Sequence, residues 1–242
     1  MRCVIVIPAR MASTRFPGKP LIDLCGKPMI QWVFEAASKV ESAQQVMIAT
    51  PDDEIIEAAK KFGATAIKTR SDHPSGTDRL AEVAETIDAE VFINVQGDEP
   101  LIHPLTIEAV SQPLLERDDV PMASAFCGCP PEDSENPAAV KVVTDILGNA
   151  LYFSRHAIPF LRHPMGIRLK KHIGIYAFRP EALRFFAACP PSPLEQTEGL
   201  EQLRFLEHGI KIRMVEVPAS ETAIDTPEQA EDVRKILLAR LV

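Results

Sequence analysis

No apolar run in the 242 residues approaches the length of a membrane-spanning helix, so an integral helical membrane protein is not expected. Positive charge is not in excess either. Against 34 Asp and Glu stand 26 Lys and Arg, a formal net charge of −8. A broad basic face for nucleic acid or an anionic membrane is therefore excluded as an expectation, and any basic cluster must be a local feature. A paired disulfide framework is missing too. The five cysteines, Cys3, Cys25, Cys127, Cys129 and Cys189, are odd in number, and three sit in apolar surroundings, as reduced packed thiols do. Cys127-Gly-Cys129 has no second Cys or His pair at zinc-ligand spacing nearby. The apolar run after Met1 is broken by Arg10, too early for a secretory signal, so the expected location is the cytoplasm. There is no long internal repeat and no low-complexity tract.

What is present is an ordinary globular composition, 46% hydrophobic and 25% charged, in a chain long enough for a substantial core. Residues 3–7 (CVIVI) are continuously apolar, the pattern of a parallel strand covered on both faces. Pro28 introduces a helical spacing of Ile30, Val33, Phe34 and Ala37. Strands are expected at 46–49, 64–68, 90–95 and 121–126, with helices over 52–62, 79–87 and 104–115 between them. This alternation predicts a doubly wound, mostly parallel α/β sheet with ligand sites at the carboxyl ends of strands. The second half differs. Residues 140–143 and 150–153 read as a hairpin, followed by a Pro- and His-bearing excursion from His156 to Lys170. A strand over 172–178, one helix over 194–207, a strand over 211–217 and a terminal helix opened by Thr226-Pro227 complete the chain. No linker divides it.

Polar clusters follow several of these strands. Arg10, Arg15 and Lys19 crowd a loop with Ser13, Thr14 and Gly18, directly after the first strand. By residue type this loop is either a phosphate site or a solvated basic turn. It is neither a Walker A loop nor a dinucleotide-binding GxGxxG. Asp98, in Asn94-Val-Gln96-Gly97-Asp98, is a carboxylate at a strand's carboxyl end, suited to Mg²⁺ or to capping a turn. Asp225 has the same alternatives. Ser75-Gly76-Thr77-Asp78-Arg79 suits a base or ribose, and equally a helix start. His172, Gly174 and Tyr176 share one face of their strand, and a strand His is often purely structural. Glu198, Glu201 and Gln202 fall at i, i+3, i+4 beside Glu195 and Arg204, giving a ligand-facing patch or a solvated helix face.

The order of these clusters is more specific than any one of them. IPARMASTRFPGKPL, SGTDRLAE, NVQGDEPLI, ALYFSRHAIPF, KHIGIYAF, PLEQTEGLEQLRFLEHG and IDTPEQAEDVRK together resemble the 3-deoxy-manno-octulosonate cytidylyltransferases (CMP-Kdo synthetases) over essentially the whole chain. The resemblance implies a single nucleotidyltransferase domain over 1–242. About 1–130 would be a nucleotide-binding half, and about 131–242 a sugar-binding and dimerisation half containing the excursion. It implies transfer of CMP from CTP to the anomeric hydroxyl of 3-deoxy-D-manno-octulosonate (Kdo) with release of pyrophosphate, for lipopolysaccharide biosynthesis. A cytoplasmic homodimer using Mg²⁺ goes with it.

Carried over by position, Pro8, Ala9, Arg10, Arg15, Lys19, Ser75, Gly76, Thr77, Arg79 and Gln96 would hold the nucleotide. Lys19, Arg15, Asp98 and Asp225 would carry the chemistry, with Asp98 and Asp225 as metal ligands. Arg155, His172, Tyr176 and Gln202 would line the sugar pocket. Ala223-Ile224 precede Asp225 where the family more often has Gly-Val. The nearest rival reading is the same transfer to a different acceptor, such as an 8-amino Kdo analogue or a nonulosonic acid, and two further rivals are a sugar-1-phosphate nucleotidylyltransferase and a non-catalytic nucleotide-binding regulator. The His172/Tyr176 and Asp225 matches oppose the sugar-1-phosphate reading, and the presence of Lys19, Asp98 and Asp225 opposes the regulator.

Overall fold

The structure is a computed structural model describing residues 2–13, 16–163, 166–218 and 223–241. In chain order it contains β1 (Cys3–Pro8), a small hairpin of β2 (Asp23–Leu24) and β3 (Lys27–Pro28), α1 (Met29–Ala37) and β4 (Gln45–Thr50). Next come α2 (Asp53–Lys61), β5 (Thr65–Lys68), α3 (Gly76–Ala84), β6 (Val91–Asn94), α4 (Pro104–Glu116) and β7 (Met122–Gly128). The hairpin β8 (Lys141–Thr144) and β9 (Ala150–Ser154) precedes β10 (Lys170–Phe178). The chain finishes with α5 (Pro180–Ala188), α6 (Pro193–Glu198), α7 (Gln202–Glu207), β11 (Arg213–Glu216) and α8 (Pro227–Leu241).

The principal sheet runs in the order β11-β7-β10-β6-β1-β4-β5, with β8 on β10 and β9 beside β8. Pairs β1–β4, β1–β6, β4–β5 and β7–β11 are parallel; β10 lies antiparallel between β6 and β7. Strands from both halves of the chain thus share one mostly parallel sheet. All six residues of β1 are buried, because helices cover both faces. Cys3, Ile5 and Ile7 pack with side chains of α1, α2 and α4, while Val4 and Val6 pack with α3, α5 and α7. Among the described residues no helix is long and apolar enough to cross a membrane.

Three expectations need correction. The helix expected at 79–87 begins earlier, at Gly76, because Ser75 caps it by accepting a hydrogen bond from the Asp78 N–H. The single helix expected over 194–207 is two, α6 and α7, broken where Gly199 takes the left-handed φ of 64° that ends a helix. Helix α5 was not anticipated, although Pro180 at its first turn and the buried spacing of Ala182, Leu183 and Phe186 are ordinary helix signals.

Candidate active site

The site opens at the carboxyl ends of β1 and β6, where the open-sheet rule places it. After β1 the chain turns through Gly18, whose left-handed φ of 72° a side chain would strain, into a short 3-10 turn begun by Lys19 and Pro20. After β6 the chain makes a still tighter approach. A Cβ on Gly97 would lie 2.9 Å from the Pro8 carbonyl oxygen and 3.2 Å from Ile30 Cδ1, so glycine alone lets the two loops touch. The Ile224 N–H then donates to the Asp98 carbonyl at 2.9 Å, which brings Asp225 alongside Asp98 from 127 positions further along the chain.

These backbone contacts converge on one charge cluster. The Lys19 ammonium donates to Asp98 Oδ2 at 2.7 Å and to Asp225 Oδ1 at 3.2 Å. One cation therefore lies within hydrogen-bond reach of two carboxylates drawn from opposite halves of the sequence. Their oxygens suit a hard divalent cation, which takes oxygen ligands and needs few from protein when phosphates supply the rest. Among the described residues no cluster of three or more His, Cys, Asp or Glu forms a more complete metal cage.

A cleft of roughly 680 Å³ extends from this cluster, within the size range of small-molecule sites. Pro8, Ala9, Arg10 and Lys19 line one side of it. Ser75, Gly76, Arg79 and Gln96 line the rest, together with Asp98 and Asp225. The structure thus gathers most of the expected nucleotide residues, from four separate segments, around a single cavity. Burial and the nearby charge of Arg10 hold the Arg79 guanidinium below its usual range. The Arg79 Nη1 donates to the Arg70 carbonyl at 2.9 Å and to the Thr69 hydroxyl. Thr77 is buried away from the cleft lining, and its hydroxyl donates to Glu201 Oε2 at 2.8 Å. Arg15 lies outside the described residues.

The residues expected to meet a sugar divide into two groups. His172 and Tyr176 share a face of β10 with their ring centroids 5.5 Å apart. Burial lowers His172 to about 3, so the imidazole is neutral at any ordinary pH. Burial, with the charges of Glu201 and Glu99, pushes the Tyr176 phenol upward and keeps it protonated. Gln202 is buried and its Nε2 has no hydrogen-bond partner among the described residues, which leaves an amide N–H donor unsatisfied. Arg155 is different. Its guanidinium donates to the carbonyls of Pro137, Glu198 and Gly199, so it clamps the α6–α7 junction and shows no free fork toward a sugar acid.

Apart from Gln202, the polar residues of α6 and α7 are largely tied to partners within the protein. Arg204 and Glu195 form a buried bidentate pair at 2.7 and 2.5 Å, and Glu198 accepts from the Ser154 hydroxyl and the Arg155 N–H. Glu99 is a residue that sequence reasoning passed over. It is half-buried, and burial together with the adjacent Asp98 charge pushes its carboxyl up to about 8. Its Oε1 would lie 4.0 Å from a Cβ at Gly174, on the His172 and Tyr176 side. Its place directly after Asp98 was the available signal.

Comparison with known proteins agrees with this geometry. A cytidylyltransferase family model matches residues 4–212. A 3-deoxy-manno-octulosonate cytidylyltransferase of Escherichia coli is 45% identical over 99% of this chain and 98% of its own. The relative of that name from Pseudomonas fluorescens is 48% identical, covering 97% and 98%. The solved structure of a CMP:2-keto-3-deoxy-manno-octonic acid synthetase complexed with CTP superposes with a TM-score of 0.96, at 44% identity, over 99% of this chain and 100% of that one.

Proposed function

The chain belongs to the 3-deoxy-manno-octulosonate cytidylyltransferase family, and from that premise we propose that it transfers CMP from CTP to the anomeric hydroxyl of Kdo, releasing pyrophosphate. The observation that carries the mechanism is the convergence of Asp98 and Asp225 on one cation at the mouth of a cleft walled by Arg10 and Arg79.

The reaction is an electrostatic problem. A hydroxyl must reach the α-phosphorus of a triphosphate while the incoming sugar carries a carboxylate of its own. Mg²⁺ held by Asp98 and Asp225 would offset both charges and lower the pKa of the attacking hydroxyl. The protein's own cations do the remaining work. Arg10, Arg15 and Lys19 hold the triphosphate by charge-assisted hydrogen bonds, and Lys19 with Arg15 stabilises the charge that develops on the departing pyrophosphate. Pro8, Ala9 and the Ser75–Arg79 segment frame base and ribose beside Gln96. His172, Tyr176 and Gln202 hold the acceptor sugar so that its hydroxyl stands in line with the departing group. Among the described residues no Cys lines the cleft, and its serines, Ser13 and Ser75, pair with the Phe16 N–H and with Asp78 rather than with a histidine base, which favours direct displacement.

The same reading makes the chain one catalytic domain whose second half supplies the sugar side and a homodimer surface. Exposed Ile146, Leu147 and Leu151 on the β8–β9 hairpin, with Phe160, Leu161 and Ile167 beyond it, support that surface. A cytoplasmic place in lipopolysaccharide biosynthesis follows from the nature of the product. The test is pyrophosphate release with each nucleoside triphosphate and a panel of sugar acids, with and without Mg²⁺. CTP plus Kdo plus Mg²⁺ should be required, and activity with a sugar-1-phosphate alone would sink the reading. Asp98→Asn should abolish transfer with the fold intact.

A further inference from the structure

The strand that carries His172 is irregular at one point. Between β7 and β10, Ile173 pairs with Ala125 and Tyr176 pairs with Ser124, so Gly174 and Ile175 are extra residues in a bulge. A bulge removes carbonyls from the ladder, and buried carbonyls need donors. Ser124 answers both needs from the opposing strand. It is fully buried, and its Oγ lies 2.8 Å from the Ile175 oxygen, 3.3 Å from the Ile173 oxygen and 2.9 Å from His172 Nε2.

A serine hydroxyl has one proton, and a carbonyl can only accept. The Ile175 oxygen at 2.8 Å therefore takes the Ser124 proton. His172 Nε2 at 2.9 Å must then donate its own N–H to the Ser124 oxygen. With Nε2 protonated and the ring neutral, Nδ1 keeps a bare lone pair, and it has no hydrogen-bond partner among the described residues. Phe153 closes one edge of the ring at a centroid distance of 4.9 Å in a T-shaped contact, and Tyr176 stands on another side, so the imidazole is packed as well as hydrogen-bonded.

We propose that Ser124 is a positioning residue for the acceptor sugar: by bridging the β10 bulge it fixes His172 as the Nε2–H tautomer, so that Nδ1 accepts a hydrogen bond from a sugar hydroxyl. This rests on His172 facing the sugar in the function proposed above. It also assigns the partner's chemistry. A neutral acceptor nitrogen recognises an O–H and repels a carboxylate, so the sugar's acid group is held by other residues.

The experiment has one arm that needs no substrate. Nitrogen-15 spectra of histidine-labelled protein, with His172→Gln identifying the resonances, should show Nδ1 unprotonated and Nε2 protonated. Ser124→Ala should give a mixed tautomer, raise KM for Kdo about ten-fold, as expected for one misaligned hydrogen bond, and leave KM for CTP unchanged. A wild-type spectrum with Nδ1 protonated would overturn the proposal even if Ser124→Ala failed to fold. An unchanged tautomer and unchanged KM for Kdo in the alanine variant would overturn it equally. Absence of CMP transfer in the wild type would instead refute the function and leave the tautomer assignment standing.

Discussion

Replacing Lys19 by Met should move two properties in opposite directions. In the structure the ammonium sits between Asp98 and Asp225 at 2.7 and 3.2 Å, in the position that a cation shared by the two acids would take. Each contact taken alone would carry several kcal/mol at an effective dielectric near ~20. The carboxylates are 31% and 38% exposed, however, and solvent screening reduces such pairs to about 1 kcal/mol or less each. Together they amount to about 1–2 kcal/mol that an incoming divalent ion must overcome by displacing the ammonium. Lys19→Met removes that competitor. Its affinity for Mn²⁺ in the absence of nucleotide should rise about 5- to 30-fold, while CMP transfer falls about 100-fold or more from loss of charge stabilisation. Free Mn²⁺ counted by electron paramagnetic resonance during a titration gives the first quantity, and pyrophosphate release gives the second. Asp98→Asn added to Lys19→Met should cancel the gain. Unchanged or weaker Mn²⁺ binding by Lys19→Met would refute the idea that lysine and metal compete for one place.

Gly97→Ala sets a Cβ 2.9 Å from the Pro8 oxygen and should cost about 1–3 kcal/mol in urea unfolding, with turnover falling further as Asp98 shifts. Arg204→Met leaves the Glu195 carboxylate buried and uncompensated; a loss of about 3–5 kcal/mol is expected, and a loss under ~1 kcal/mol would show that water reaches the pair. His172 supplies the pH dependence. Its folded value near 3 lies below the unfolded value of 6.5, so the unfolded chain binds a proton that the folded chain refuses. Stability from this group is complete above pH 6.5 and falls as pH drops toward 3, by about 1.4 kcal/mol per pH unit. His172→Gln should flatten that part of a melting-temperature profile.

The first half of the fold was readable because each element carried its own periodicity. The run at 3–7 became a fully buried strand, and helix α1 spans Met29–Ala37 with Ile30, Val33 and Ala37 inward. What escaped depended on distant partners. The antiparallel insertion of β10 between β6 and β7 reflects pairing across more than 40 residues. Gly199 ends α6 through its φ, which a helical apolar pattern passes over. At the site, residue types and their order pointed to a nucleotide cleft and two acids, but not to the ammonium between them. Nor did they show Arg155 held by three carbonyls, since a guanidinium's partners are set by tertiary contact alone.

Asp225 owes its place to a part of the molecule with an interior of its own. Ile224 and the α8 residues Ala230, Val233 and Leu237 pack with Leu24, Met29 and Leu101, apart from the two clusters that sandwich the main sheet. Arg234 fastens the same helix to the Asp23 carbonyl of the β2–β3 hairpin. A small satellite interior of this kind opens at lower free energy than a central sheet, as an independent cooperative unit. Asp225 thus rides on a segment with its own small interior, while Asp98 follows closely on a strand of the main sheet. Mild warming or dilute denaturant will part the two acids before the sheet melts, and catalysis will fail while circular dichroism still reports a folded protein.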